Sequence, residues 1–361
     1  MERDLFQALM ESAPDLLYVK DRESRFLRAN AAVAAYLGVA DPDDLVGRTD
    51  VDFFPPELAA QFRADELRVM TTGQPIRNQL EGKIGDGDSP AWVLTTKSPL
   101  RNRKGEIVGI VGVAREVTEP VRAEALAQVE AGAPVLDVNA GIPGADEVDL
   151  LVRMVKLVAE TVDVPLCIDS STHAALEAAL AVYEGKALVN SVTGEEDKLE
   201  RILPLVRRHG AAVIGLANDE RGPLPDPAER LAVARKIVER AADHGIPPED
   251  VIIDPLAMTV GADPDAARVA LETMRLVRDE LGVNLICGAS NVSFGMPGRA
   301  ELTATFVAMG RMVGLTSAIA NPLSREMRMA TLGSDVLLGI DRYAAAWLRT
   351  IRAEEAARAE G

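Results

Sequence analysis

Four short apolar runs each end in, or lead into, an acidic or amide side chain, and these ends are where the sequence concentrates its chemistry. The four residues are Asp169 after Pro165-Leu-Cys-Ile, Asn190 after Ala187-Leu-Val, Asp254 after Val251-Ile-Ile, and Asn291 after Leu285-Ile-Cys-Gly-Ala-Ser. Each run is followed by a segment with helical spacing. In parallel α/β barrels, the ends of the strands and the loops that follow them form the active site. The pattern therefore predicts one shared mouth lined by carboxylates and amides.

Any one of these residues alone has a simpler structural explanation, because Asp and Asn often cap helices or stabilise turns. Four of them at successive strand ends favour a common cavity. Carboxylate and amide groups together accept and donate hydrogen bonds in a plane, which suits a flat heterocycle with N–H and carbonyl edges, such as a pterin. No metal is expected, because none of the three histidines falls at a strand end. Asp and Asn without His suit only hard cations.

The supporting framework is an alternation of strands and amphipathic helices that begins near residue 121. Seven strands are predicted, at residues 135–138, 166–168, 187–189, 212–216, 251–253, 285–286 and 317–320. Such an alternation over about 240 residues indicates an α/β barrel rather than an open doubly wound sheet. The segment after the first strand lacks the Gly-x-Gly-x-x-Gly pattern that a dinucleotide-binding fold requires.

The first third of the chain has a different pattern, with strands joined mostly by hairpins, which predicts an antiparallel α+β domain. It resembles a PAS sensor domain, and we place this domain at residues 1–119 and the barrel at 120–361. The residues that carry the resemblance are Phe6-Gln-Ala-Leu-Met-Glu-Ser-Ala-Pro-Asp-Leu-Leu-Tyr-Val-Lys-Asp21, Leu45-Val-Gly-Arg-Thr-Asp50, Phe53-Phe-Pro-Pro56 and Gly109-Ile-Val-Gly-Val-Ala-Arg-Glu-Val-Thr-Glu119.

PAS domains bind small ligands, haem or flavin, or pair with other proteins. This region has no His and no Cys, which argues against a His-ligated haem and excludes a cysteinyl-flavin adduct. A small-molecule role and a protein-interaction role both stay open, and the PAS ligand is unknown.

The composition of the chain argues against some classes of binding partner. Its 39 basic and 56 acidic residues give a net charge of −17, which argues against nucleic acid and against an anionic membrane surface. No apolar run resembles a signal peptide or a membrane span. With two cysteines, both in predicted strands, a cytoplasmic location is expected. A homodimer is left open.

The barrel region resembles the pterin-binding barrel family, and within it the methyltetrahydrofolate:corrinoid methyltransferases. The matching motifs are Ala131-Gly-Ala-Pro-Val-Leu-Asp-Val-Asn-Ala-Gly141, Pro165-Leu-Cys-Ile-Asp-Ser170, Leu188-Val-Asn-Ser-Val192, Ile252-Ile-Asp-Pro-Leu256, Gly288-Ala-Ser-Asn-Val-Ser-Phe-Gly295 and Ser334-Asp-Val-Leu-Leu-Gly339. The resemblance implies a transferase that moves the N5 methyl group of methyltetrahydrofolate to a corrinoid, a reaction that the PAS domain could regulate. The cobalamin would be carried by a partner protein, since this chain lacks the Asp-x-His-x-x-Gly cobalamin-binding motif.

The same resemblance assigns roles to the strand-end residues. Asp169, Asn190 and Asp254 would hold the pterin ring, and Asn139 and Ser290 would line the same mouth. Asn291 would be the catalytic residue, on a mobile loop that reaches N5. An amide cannot titrate, so its role would be to stabilise the charge that develops in the transition state.

Two other functions stay open. The first is a dihydropteroate synthase-like enzyme, which shares the pterin pocket but is expected to carry a Ser-Arg-Lys-type motif where this chain has Ser290-Asn-Val-Ser. The second is a regulatory protein whose barrel binds folate without turnover.

The sequence departs from the family at the start of the barrel. The family begins with a strand of the type Ile-Ile-Gly-Glu-Arg-Ile-Asn, whereas here the PAS region runs directly into the first barrel helix. The fold expected is therefore an α+β PAS domain followed by a (β/α)8-type TIM barrel that lacks its first strand. A strand from a second copy of the chain could fill the gap. We expect residues 106–115 to stay paired in the PAS sheet, leaving the barrel mouth incomplete and the fold and activity weakened.

Overall fold

The structure is a computed structural model and describes residues 2–84, 90–141 and 146–360. It divides into two compact units, Met1–Ala123 with Gly141–Leu150 and Glu124–Ala140 with Leu151–Gly361. The domain boundary expected at residue 119 falls inside α4, a helix that runs through it, and so this boundary stays a prediction.

The first unit is built on a five-stranded antiparallel sheet with the strand order β2-β1-β5-β4-β3. Its strands are β1 (Leu16–Asp21), β2 (Phe26–Ala29), β3 (Ile76–Ile84), β4 (Pro90–Arg101) and β5 (Ile107–Glu116). Its helices are α1 (Glu2–Ser12), α2 (Ala31–Tyr36) and α3 (Pro56–Thr72). This is the antiparallel α+β arrangement that the hairpin pattern predicts.

Local sequence signals set several of these boundaries. Asn30 begins α2, because its side-chain oxygen accepts a hydrogen bond from the Val33 N–H while its amide donates to the Asp15 carbonyl at 2.8 Å. Gly73 ends α3 with a φ of +68°, a conformation that glycine adopts without strain. The buried apolar cluster under this sheet includes Phe26 and Leu45.

Strand β5 occupies the centre of the antiparallel sheet. It pairs with β1, where Tyr18 lies opposite Gly112, and with β4, where Thr95 lies opposite Ala114. Its backbone groups are therefore used on both sides. The prediction that this strand stays in its own sheet is confirmed.

The second unit contains a six-stranded parallel sheet with the order β11-β10-β9-β8-β7-β6. Its strands are β6 (Leu136–Asn139), β7 (Leu166–Asp169), β8 (Leu188–Thr193), β9 (Ala212–Leu216), β10 (Val251–Asp254) and β11 (Asn284–Leu285). The helices from the junction onward are α4 (Thr118–Glu130), α5 (Glu147–Thr161), α6 (His173–Val182), α7 (Glu196–His209), α8 (Pro227–Asp243), α9 (Ala266–Glu280), α10 (Arg299–Val313), α11 (Arg325–Leu337) and α12 (Ala345–Glu360).

The seventh predicted strand, at residues 317–320, is reduced to one parallel bridge between Ile319 and Gly288. The Ile319 N–H still donates to the Cys287 carbonyl at 2.8 Å. The neighbouring β11 is only two residues long, and the chain turns into a 3-10 helix at Ala289–Ser293. Few backbone groups are therefore available there for a longer ladder.

Side chains on one face of this sheet pack together in one apolar cluster. Cys167 from β7, Ile214 from β9 and Ile286 after β11 form one buried cluster, with Ile319 packed against it. Leu188 from β8 and Ile252 from β10, on the strands in between, also pack against this cluster, so it runs continuously across five strands. Parallel barrels fill their interior in this way, with residues from alternate strands sharing a layer.

Strand β6 lies at one end of the sheet order. Within the residues that the structure describes, its ladder partner is β7 alone. The architecture is therefore a parallel α/β sheet, and its closure into a barrel stays a prediction. No described helix is both long enough and apolar enough to cross a membrane.

Candidate functional site

Three of the predicted site residues form a row across the carboxyl ends of neighbouring strands. Asn139 at the end of β6 lies opposite Asp169 at the end of β7, and Asp169 lies opposite Asn190 in β8. Strand residues that are paired in register point to the same face. The Asn139 amide Nδ2 donates to Asp169 Oδ2 at 2.8 Å. The structure thus places these three side chains together, as the strand-end pattern predicts.

Asp137, two residues before Asn139, also contributes its carboxylate to this group of side chains. The Asn190 amide Nδ2 lies 3.4 Å from Asp137 Oδ1, reaching across the intervening β7. Burial first, and then the Asp137 carboxylate, raise the pKa of the Cys167 thiol. Cys167 therefore stays protonated at neutral pH and is not a nucleophile.

Asp254 is the most buried acid of the candidate site, with 8% of its surface exposed. One carboxylate oxygen accepts the Leu256 N–H at 2.7 Å, and the Gly288 N–H also bonds to the carboxylate. Burial raises the pKa of Asp254 to about 6, although these two N–H groups and the charge of Arg230 lower it. Asp254 can therefore exchange a proton just below neutral pH, which is unusual for an aspartate.

Arg230 was missed by the sequence analysis. It is 3% exposed and donates from Nε to the Leu224 carbonyl at 2.6 Å and from one terminal nitrogen to the carbonyls of Pro255 and Leu256 at 2.7 and 2.8 Å. It thereby holds the loop after β10, in which Leu256 has a φ of +66°. In the sequence, Arg230 stands in the first turn of α8, where an arginine is ordinarily exposed, so no local signal marks it.

Asn291 and Ser290 lie on the 3-10 helix that follows β11, and both are exposed. The nearby Gly288 allows Asn291 to lie close to the backbone, because a Cβ at this position would come within 2.9 Å of Asn291 Nδ2. Since the Gly288 N–H also bonds to Asp254, Asn291 and Asp254 meet at the same glycine. Arg299 steadies this turn by donating to the Ser290 carbonyl at 3.1 Å.

The carboxyl end of this sheet thus carries three carboxylates and three amides, in two groups. They belong to Asp137, Asp169, Asp254, Asn139, Asn190 and Asn291. In the described part of the chain, no cluster of three or more His, Cys, Asp or Glu side chains is arranged to hold a metal ion. Carboxylates accept and amides both donate and accept, so the set matches the edge of a planar heterocycle that carries amino, N–H and carbonyl groups.

Comparison with known families agrees with this chemistry. Residues 112–321, more than half of the chain, match the family model described as pterin binding enzyme. The chain belongs to the pterin-binding enzymes. Residues 10–122 match a PAS fold, so a PAS domain precedes the pterin-binding domain. The two matches overlap at residues 112–122, and the structure assigns the strand part of this overlap, up to Glu116, to the antiparallel sheet.

One curated protein that is similar in sequence to this pterin-binding enzyme is a methylcorrinoid:tetrahydrofolate methyltransferase from Eubacterium limosum. It is 32% identical over 238 residues, which cover 64% of this chain and 87% of the relative. The pterin-binding domain and this relative together connect the chain to folate-related methyl transfer.

Solved structures resemble about a third of the chain. The VqmA dimer of Vibrio cholerae, described as a LuxR-type receptor, is 28% identical with a TM-score of 0.30, over 32% of this chain and 52% of VqmA. The chain thus spans about half the length of that receptor. A PAS domain from Colwellia psychrerythraea is 12% identical with a TM-score of 0.29, over 33% of this chain and 99% of that domain.

Proposed function

We propose that the pterin-binding domain transfers the methyl group between N5 of methyltetrahydrofolate and a corrinoid carried by a partner protein. The observation that carries the proposal is the row Asn139–Asp169–Asn190, with the buried Asp254 at the carboxyl end of β10 in the same sheet, in a chain that belongs to the pterin-binding enzymes. The corrinoid is a substrate in this scheme, held by another protein.

In this proposal the ring is bound by hydrogen bonds of defined direction. The carboxylates of Asp169 and Asp254 accept from the amino and N–H groups of the pterin, and the amides of Asn190 and Asn139 complete the contacts to its donors and acceptors. Asp254 is well suited to this task, because its burial makes a bond from a ligand N–H stronger than it would be in water. Ser290 lines the mouth beside these groups.

Asn291 acts on the reacting nitrogen. N5 of methyltetrahydrofolate is a tertiary amine and a poor leaving group, so the transition state needs a proton or a strong hydrogen bond at N5. The exposed Asn291 amide can donate such a bond from the turn beside Asp254. Because it stabilises charge that is present mainly in the transition state, it should affect the rate more than the affinity.

The direction of transfer is open to experiment. We propose methyltetrahydrofolate as the donor, whereas the name of the Eubacterium limosum relative gives the methylcorrinoid as the donor. Forward and reverse transfer share one transition state, so the roles of the residues are the same for both directions.

The decisive experiment measures folate binding and methyl transfer with the full chain. Calorimetry should detect methyltetrahydrofolate binding, and the visible spectrum of cobalamin should report methyl transfer, assayed in both directions. Absence of folate binding would contradict the proposal. Folate binding without transfer in either direction would instead favour a regulatory protein that binds folate without turnover, with the PAS domain as its sensor.

The exposed Asp163, which precedes β7 at the opposite end of that strand from Asp169, provides a matched control. Asp163→Ala removes the same type of side chain from the amino end of the strand. It should bind folate and transfer the methyl group as the wild-type protein does. A loss equal to that of Asp169→Ala would show that the effect of the latter is not specific to the carboxyl end.

A further inference from the structure

Arg230 lies next to the candidate site but has no role in the methyl transfer as proposed. It stands in the first turn of α8, and its guanidinium is buried where the loop after β9 meets the loop after β10. A buried charge is costly unless it is well hydrogen-bonded. The three bonds from this guanidinium end on backbone carbonyls, those of Leu224, Pro255 and Leu256. The charge therefore stabilises the backbone of these two loops.

The peptide group between Pro255 and Leu256 is held at both of its ends. Its carbonyl, that of Pro255, accepts from Arg230 at 2.7 Å, and its N–H, that of Leu256, donates to Asp254 Oδ1 at 2.7 Å. The C=O and N–H of a trans peptide lie in one plane and point in opposite directions. A rotation of this plane would therefore break both bonds together. A bond at one end of the group also polarises it and strengthens the bond at the other end.

The backbone at Leu256 is strained and needs to be held. Its φ of +66° lies in the left-handed region, which a residue with a side chain adopts at a cost. The terminal nitrogen of Arg230 that bonds to Pro255 also donates to the Leu256 carbonyl at 2.8 Å. One nitrogen thus holds the carbonyls on both sides of Leu256. Without it, the backbone would relax and turn the Leu256 N–H away from Asp254.

We infer that Arg230 is a positioning residue for folate binding, which holds the strained peptide group before Leu256 so that the Leu256 N–H stays bonded to the Asp254 carboxylate. The inference rests on the proposed function, in which this carboxylate accepts a hydrogen bond from the pterin ring. Two donors from different loops, the N–H groups of Leu256 and Gly288, fix the direction of the carboxylate. When the first donor is lost, the carboxylate can turn away from the ring.

Replacing Arg230 and Leu256 singly and together in the full chain tests the inference. Arg230→Met should weaken methyltetrahydrofolate binding, measured by calorimetry, by about tenfold. Glycine adopts a positive φ without strain, so in the Leu256→Gly protein the same loss of Arg230 should change the Kd by less than about threefold. An arginine that only stabilises the fold would cost the same affinity in both backgrounds. Arg235→Met, on the same helix, is the control and should leave the affinity unchanged, because Arg235 is 43% exposed and pairs with Glu280.

The pKa of Asp254 gives a second measurement, which does not depend on folate. It should rise in Arg230→Met, because the arginine charge and the Leu256 N–H both lower it in the wild type. In the double variant with Leu256→Gly it should fall back part of the way, since the N–H bond returns while the charge stays absent. Carbon-13 NMR of the carboxyl groups measures this, with Asp254→Asn to assign the signal.

The two measurements separate failure of this inference from failure of the proposed function. Unchanged affinity and pKa in Arg230→Met, or the same changes with and without Leu256→Gly, would overturn the inference. If the wild type binds no methyltetrahydrofolate while the pKa follows the expected pattern, the proposed function is wrong and the effect of Arg230 on Asp254 stands. If Arg230→Met does not fold, Arg230→Lys replaces it, because its ammonium keeps the charge but ends one bond short of the terminal nitrogen that holds the carbonyls.

Discussion

Both domains bury carboxylates, but they satisfy them in different ways. In the PAS domain Asp50 and Glu66 are held by the ammonium group of Lys20, so opposite charges are already paired. In the pterin-binding domain Asp254 is held by backbone N–H groups, and Asp169 by the neutral amide of Asn139. Paired charges tie elements together, whereas a carboxylate held by neutral donors keeps its attraction for a ligand that brings N–H groups. From this difference we expect a structural role for the first set, and it agrees with the binding role that we propose for the second.

The largest expected effect tests the structural side of this comparison. Lys20→Met should destabilise the PAS domain by about 3–5 kcal/mol, because it leaves two carboxylates buried without their partner. Urea unfolding followed by a probe in each domain would measure it. Lys104→Met, at an exposed turn, is the control and should change stability by less than about 0.5 kcal/mol. An equally small effect of Lys20→Met would refute the structural role.

The second prediction concerns the pH dependence caused by Asp254. Its folded pKa of about 6 lies above the ordinary value of 3.8, so the native state binds more protons than the unfolded state between these values. Its contribution to stability is therefore complete below about pH 4 and is lost as the pH rises through 6. The loss amounts to about 3 kcal/mol.

Asp254→Asn cannot titrate and should remove this dependence. The unfolding free energy of the variant, relative to the wild type, should rise by about 3 kcal/mol between pH 4 and pH 7. Calorimetric unfolding at several pH values checks this, because the difference between the two proteins cancels the other titrating groups. A constant difference across the range would show that Asp254 has an ordinary pKa.

The sequence predicted the strand-end positions of Asp169 and Asp254 well, and gave no sign of the buried ion pairs of Lys20. Asp169 and Asp254 end apolar strands, and strand ends in a parallel sheet meet at one edge, so local pattern was enough. Lys20 looks like an ordinary polar residue near the end of an apolar strand. Its partners lie 30 and 46 residues away, and alternation does not reveal which face a helix will cover.

Two further features of the pterin-binding domain depend on contacts between distant segments. Arg230 is buried because three carbonyls from the loops around it need donors, which no helical period can indicate. The last predicted strand, at residues 317–320, has the right composition, but its neighbour β11 ends after two residues. The element types were therefore predictable, while the length of each ladder was set by the partner strand.

The third prediction separates binding from catalysis at the candidate site. Asn291→Ala should lower the rate of methyl transfer by about 10²-fold, as removal of one preorganised donor does in other enzymes, while the methyltetrahydrofolate dissociation constant changes by less than about threefold. Single-turnover transfer and calorimetry give the two quantities. Asn284→Ala, an exposed asparagine at the start of β11, is the control. Equal losses of rate and affinity would make Asn291 a binding residue only.

The smallest expected effect concerns Asp169. It tests the binding role that we propose for the carboxylates of the pterin-binding domain. Asp169→Ala should weaken methyltetrahydrofolate binding by about 1–3 kcal/mol, or roughly 5- to 150-fold, because a charge-assisted hydrogen bond to the ring is lost. The half-buried Asp169 carboxylate has a neutral partner in Asn139, so the unfolding free energy should fall by less than about 1 kcal/mol. Calorimetry of folate binding beside urea unfolding would separate the two quantities, with Asp163→Ala as the control. If Asp169→Ala lowered the unfolding free energy as much as Lys20→Met and left the folate affinity unchanged, the carboxylates of both domains would have a structural role.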